Sequence, residues 1–89
     1  MKYMCTWSVK EENFNAAIER FTQNPPAVPE GVTMVERWHQ MGSGDGFTLF
    51  ETEDAVALSR YILAWADLVD QQIYAVVDEE EIGQALSQM

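Results

Sequence analysis

The sequence has few basic residues, a single cysteine, a single histidine and no long apolar run. Its five lysines and arginines stand against fifteen aspartates and glutamates, which gives a formal net charge of −10. Proteins that bind nucleic acid normally present a basic surface to the phosphates, and so acidic a surface repels nucleic acid and anionic lipid alike. We therefore predict neither a nucleic-acid partner nor a membrane partner, and we interpret the acidity as a source of solubility.

The scarcity of cysteine and histidine limits both the compartment and the chemistry. A lone Cys5 excludes an intrachain disulfide and fits a reducing compartment. The first nine residues lack the apolar core and cleavage site of a signal peptide, and no apolar run approaches the length of about 20 residues that spans a membrane. These features predict a cytoplasmic protein. No histidine or cysteine spacing typical of a metal site is present, so we predict no metal or other cofactor.

The apolar residues that are present follow two periods. Phe14, Ala17, Ile18 and Phe21 recur at helical spacing, whereas "KYMCTWSV" is typical of a strand. The glycine-rich "MGSGDG" predicts the turn of a hairpin. A single domain, 1–89, is expected, with strands at 2–9, 32–40, 47–51 and 71–78 and helices at 10–24, 52–70 and 79–89.

The order of these elements, βαββαβ with a terminal helix, predicts a ferredoxin-like α+β fold. Such a fold has a four-stranded antiparallel sheet with two helices on one face. The first and fourth strands carry apolar side chains on both faces, whereas a sheet with one wet face alternates more cleanly. Because no residues are left to cover the second face, we expect a homodimer in which two sheets pack face to face.

Three segments also resemble a known family. They are "MKYMCTWSVK", "PEGVTMVERWHQMGSGDGFTLFETED" and "AWADLVDQQIYAVVDEEE", and nearly the whole chain is similar to the bacterial domain-of-unknown-function family 3303. That family is similar to the dimeric α/β-barrel superfamily, which implies a ferredoxin-like protomer and a dimer formed through its sheets. The superfamily includes cofactor-independent monooxygenases, haem-degrading enzymes and lactone isomerases. The resemblance assigns no catalytic residue.

The best candidate for a catalytic site is "ERWHQ" at the end of the second strand. Strand alternation places His39 on one face with Arg37, Val35 and Thr33, and the other residues of the strand on the opposite face. One hairpin register would set Arg37 opposite Glu51. His39 would then carry a proton, Arg37 would bind a carboxylate or enolate oxygen, and Glu51 would orient one of them. The alternative is a structural ion pair beside a hydrogen-bonded histidine.

Aromatic residues from several elements form a second candidate site. Trp7, Trp38, Trp65 and Tyr61 could line an apolar pocket between the sheet and the helices. The alternative is that they only pack in the core or at a dimer contact. Cys5 is expected to be buried, and a thiol buried in apolar surroundings has a raised pKa and is inert. To act as a nucleophile it would need a base within hydrogen-bond reach, and His39 is the only candidate.

Two functions remain open from the sequence. The first is a dimer that binds a small apolar or aromatic molecule, with or without cofactor-independent catalysis by His39 and Arg37. The second is a non-catalytic dimeric scaffold or regulatory protein without a ligand. The first requires a cavity with His39 or Arg37 in its wall, and the second requires filled space there.

Overall fold

A computed structural model describes all residues from Met1 to Met89. The elements follow the order β-α-β-β-α-β-α that the sequence predicts. The strands are β1 (Lys2–Val9), β2 (Val32–His39), β3 (Asp45–Thr52) and β4 (Val69–Val76). The helices are α1 (Phe14–Gln23), α2 (Ala55–Leu63) and α3 (Glu79–Ser87).

The four strands form one antiparallel sheet in the order β2-β3-β1-β4. The first and third strands lie in the centre and the second and fourth lie at the edges, which is the ferredoxin-like arrangement. The predicted fold class is therefore confirmed. No helix is both long enough and apolar enough to pass through a bilayer.

The core lies between the sheet and α2. Phe50 and Cys5, on the two central strands, are 1% and 2% exposed and pack with Leu58 and Tyr61 of α2. The helix α2 begins at Ala55, where the Asp54 carboxylate accepts a hydrogen bond of 3.0 Å from the backbone N–H of Ala57. Such a cap satisfies one of the free donors at a helix start.

The second helix is much shorter than the predicted 52–70. It ends at Leu63, and tight turns continue the chain, with the backbone N–H groups of Trp65 and Leu68 donating to the carbonyls of Ile62 and Trp65. Bonds between residues three apart keep apolar side chains at nearly helical spacing, so the pattern does not reveal where the helix stops. Val69, assigned to the helix from the sequence, begins β4.

The sheet face turned away from α1 and α2, here called the open face, carries large apolar side chains. Trp38, Phe47 and Tyr74 on this face are 42%, 45% and 48% exposed, and the rings of Trp38 and Phe47 are 5.5 Å apart. No part of the chain covers them.

Candidate functional site

A cavity of about 270 Å³ lies between α1 and the sheet. Seventeen residues line it, eleven of them hydrophobic. The sheet contributes Cys5, Trp7 and Val9 from β1, and aromatic side chains of α1 and α2 form the opposite wall. The volume is near the lower end of the range for small-molecule sites, which begins at about 300 Å³.

The cavity exists because α1 stands away from the sheet. Phe14, Ile18 and Phe21 form the apolar stripe that the sequence predicts, but they are 42%, 46% and 41% exposed. Ala17 is the only buried residue of this helix. The apolar face of α1 therefore lines a space and does not pack fully against other side chains.

Polar contacts hold α1 in this position from one side. The Arg20 guanidinium donates two hydrogen bonds of 2.7 Å to the Asp67 carboxylate and one of 3.0 Å to the carbonyl of Ala64. This guanidinium also lowers the pKa of the Asp67 carboxyl below its ordinary value. The Asn13 side-chain amide, just before α1, donates to the Leu68 carbonyl at 3.3 Å and does not cap the helix. Both tethers join α1 to the turn before β4.

Arg37 and His39 lie together in the wall of this cavity. The Arg37 guanidinium carbon is 4.8 Å from the centre of the Phe21 ring. The His39 ring packs edge-on against Phe21 and Trp7, with centroid distances of 5.8 Å and 5.2 Å. The Trp7 indole N–H donates to the Thr48 hydroxyl at 3.2 Å. A cation, an imidazole and a hydroxyl thus form one polar end of a mostly apolar cavity.

A β-bulge turns Arg37 and His39 towards the cavity. Met34 pairs with Phe50, but the register shifts at Val35, so that Arg37 pairs with Thr48. A regular strand would have placed Glu36 on this face and Arg37 on the open face, because successive side chains alternate. Bulges commonly redirect side chains next to functional sites. The prediction that Thr33 shares one face with Arg37 and His39 is therefore wrong, because the extra residue at Val35 shifts the alternation of side chains.

Glu51 is not part of the site. It pairs with Thr33 and lies on the open face, so the hairpin register that would set it opposite Arg37 is wrong. No carboxylate lies within the 4.0 Å ion-pair distance of the Arg37 guanidinium. The arginine is therefore left without the predicted ion pair, and the predicted orienting role of Glu51 is lost.

The predicted aromatic residues divide between the two faces of the sheet. Trp7, Trp65 and Tyr61 line the cavity. Trp38 instead borders a polar hollow on the open face, because it alternates with Arg37 and His39 along β2. Phe14, Ile18 and Phe21 complete the cavity wall. From the sequence these three were assigned only to one helical face, and that spacing was the signal that could have placed them in the site.

Cys5 lines the cavity but is not activated as a nucleophile at neutral pH. Its thiol is buried, and burial raises the pKa of Cys5 to about 11. The thiol donates weak hydrogen bonds to the Thr6 carbonyl at 3.8 Å and to the Gln71 side-chain oxygen at 3.9 Å. His39 lies two strands away, across β3, so the thiol has no base within hydrogen-bond reach. The sequence-based condition for an activated cysteine is not met.

Comparison with known proteins adds the family. A search of curated proteins finds no match to the chain. The family model described as "Domain of unknown function (DUF3303)" matches residues 1–89, which is the full length of the sequence. The chain therefore belongs to the DUF3303 family, as the three resembling segments predict.

Proposed function

We propose that the protein binds a small apolar or aromatic molecule in the cavity between α1 and the sheet. The observation that carries the proposal is the apolar face of α1, which is directed at a space lined by aromatic side chains. Complete burial of a side chain such as phenylalanine or isoleucine is worth about 1.5–3 kcal/mol. A ligand with an apolar body would supply the burial that the fold leaves incomplete at Phe14, Ile18 and Phe21.

The cavity also favours this function over a scaffold without a ligand. A scaffold without a ligand should have filled space behind Arg37 and His39, because the apolar face of a helix normally packs directly on the sheet. Here both residues border a space of about 270 Å³. If the bound molecule reacts, His39 is the group placed to exchange a proton with it. That chemistry would be of the cofactor-independent isomerase or monooxygenase kind.

The neutral fluorescent dye N-phenylnaphthylamine tests the binding function. We expect the dye to bind the wild-type protein at micromolar concentration, and Ala17→Phe to weaken this binding at least about tenfold, because the new ring fills the cavity. Ala16→Phe is the matched control, since Ala16 lies next along α1 but is exposed and does not line the cavity. Fluorescence titration of the three proteins gives the dissociation constants.

Two results would count against the binding function. One is a wild-type protein that gives no fluorescence increase with the dye. The other is equal binding by Ala17→Phe and Ala16→Phe, which would place the dye outside the cavity.

We also propose that a second copy of the chain covers the open face. The accessible surface of the chain is 6320 Å², against about 5300 Å² expected for a monomer of this mass. The radius of gyration is 14.9 Å, against about 12 Å expected for this length. This surplus of about 1000 Å² includes α3, none of whose residues is buried, so the more specific support for a partner on the open face is the exposure of Trp38, Phe47 and Tyr74.

The charge on the open face supports a second copy as the partner. Two copies, each with a net charge of −10, repel one another over most of their surfaces. The open face carries Glu36 and Glu51, but its other central residues are uncharged: Met4, Thr6, Trp38, Phe47, Leu49, Gln72 and Tyr74. This is the surface on which two copies can meet with the least repulsion.

A further inference from the structure

We propose that the molecule bound in the cavity is an aromatic monoanion, with its anionic oxygen group held by Arg37 and the Thr48 hydroxyl. This inference rests on the proposed binding function and names the class of ligand. It concerns the polar end of the cavity, where Arg37, His39 and Thr48 meet.

The charge of the cavity wall differs in sign from that of the whole chain. Of the seventeen lining residues none is an aspartate or glutamate, although the chain has fifteen of them. Arg37 is the only lining residue with a formal charge at neutral pH when histidine is neutral. A low-dielectric site with a single positive charge favours one negative charge on its ligand.

Arg37 is also free to bind an anion. The cations Lys2, Lys10 and Arg20 each lie within 4.0 Å of at least one carboxylate. Arg37 has no carboxylate within this distance, and its guanidinium lies over the face of the Phe21 ring. The guanidinium is half-buried, and none of its nitrogens is buried without a partner, so its free N–H groups remain accessible to solvent. An anionic oxygen at the end of the cavity can replace water as their acceptor.

Thr48 supplies a second donor at the same place. It pairs directly with Arg37 across β2 and β3, so the two side chains leave the same face of the sheet about 5 Å apart. Its hydroxyl oxygen accepts the Trp7 indole N–H, which leaves the hydroxyl proton to be donated. Thr48 is 3% exposed, so water has little access to this donor. A guanidinium and a hydroxyl suit one carboxylate or enolate oxygen group.

The apolar part of the ligand follows from the other wall. Trp7, Phe21 and Trp65 border the cavity, and aromatic side chains favour offset or edge-on contacts with another ring. The structure therefore places an anion-binding end next to an aromatic-lined body. This combination selects against purely aliphatic cations, sugars and multiply charged phosphates.

Two dyes that differ in one charged group test this inference. Anilinonaphthalene sulfonate has the same aromatic skeleton as N-phenylnaphthylamine and adds one negative charge. We expect Arg37→Gln to weaken sulfonate binding about ten- to hundredfold, the loss that removal of a charged hydrogen-bond donor causes. Binding of the neutral dye should change less than about twofold, because Arg37 makes no charged contact with it. All titrations are made at one ionic strength.

One control variant separates the possible outcomes. Arg60→Gln also removes an arginine without a carboxylate partner, but Arg60 is exposed on α2 and does not line the cavity, so both dyes should bind this variant as they bind the wild type. Retained binding of the neutral dye shows that Arg37→Gln is folded. Equal weakening of both dyes, or of neither, would overturn the anion inference and leave the binding function standing. Failure of both dyes to bind the wild type would overturn both proposals.

Discussion

Replacement of Gly46 by alanine is expected to destabilise the protein by about 3 kcal/mol, the upper end of the usual cost of overpacking. A Cβ atom at this position would lie 2.3 Å from Cζ2 of the Trp7 indole and 2.4 Å from the backbone carbonyl oxygen of Trp38. The indole could move, but the carbonyl belongs to the β2–β3 ladder and cannot move without breaking it. A loss of this size lowers the melting temperature by roughly 15 °C in a domain of this length.

The same substitution should also affect the cavity. The Trp7 indole lies against Gly46 and forms part of the cavity wall, so a side chain at Gly46 would push the indole into the space for the ligand. Gly83→Ala is the control, because a Cβ there meets nothing within 4 Å and alanine is the better helix former. Thermal unfolding of both variants measures the difference. Equal melting temperatures would show that the close approach of Trp7 to Gly46 is not required.

Phe47→Glu is expected to dissociate the proposed dimer. Phe47 lies near the centre of the open face beside Trp38, so each dimer would gain two carboxylates that face an apolar surface. A buried charge without a partner costs about 3–5 kcal/mol. The dimer dissociation constant should therefore rise at least about a thousandfold. Sedimentation equilibrium at micromolar concentration should show a dimeric wild type and a monomeric variant.

Val56→Glu provides the matched control for this experiment. Val56 is an apolar residue that is 76% exposed, but it lies on α2 and away from the open face. This variant should remain dimeric, which would show that added negative charge alone does not cause dissociation. A wild type that sediments as a monomer at micromolar concentration would contradict the face-to-face dimer.

The sequence was sufficient to predict the order of the elements, because each main signal was local. The period of Phe14 to Phe21 marks α1, and the glycines of "MGSGDG" mark the hairpin turn. The C-terminal end of α2 was not predictable, since Trp65 and Leu68 continue the apolar spacing beyond it through tight turns. Local periodicity thus predicted the elements in the correct order, but α1 begins at Phe14 and not at residue 10, and α2 ends at Leu63 and not at residue 70.

The site was only partly predictable. Trp7, Trp65, Arg37 and His39 all border the cavity, but the register that joined Arg37 to Glu51 is wrong. The reason is the bulge at Val35, which depends on pairing across the hairpin and has no signature in the composition of the strand. The space itself was not predictable either, because an apolar helical stripe normally packs directly on a sheet. Here α1 instead borders an open space, and hydrogen bonds from Arg20 and Asn13 join it to the turn before β4.

Cys5 allows the most direct test of the claim that a ligand occupies the space between α1 and the sheet. It is the only cysteine, lines the cavity and is 2% exposed. Because the thiolate is the reactive form and the pKa of Cys5 is raised to about 11, its alkylation by iodoacetamide should keep accelerating up to that pH. An ordinary thiol, with a pKa of about 8.5, would level off earlier.

The decisive measurement is the alkylation rate of Cys5 at about pH 10, where part of the thiol is ionised, with and without saturating N-phenylnaphthylamine. The account predicts that the dye slows alkylation in proportion to the fraction of protein bound, because it occupies the space beside the sulfur. An unchanged rate at full saturation would show that the dye binds elsewhere, and would contradict the cavity as the binding site.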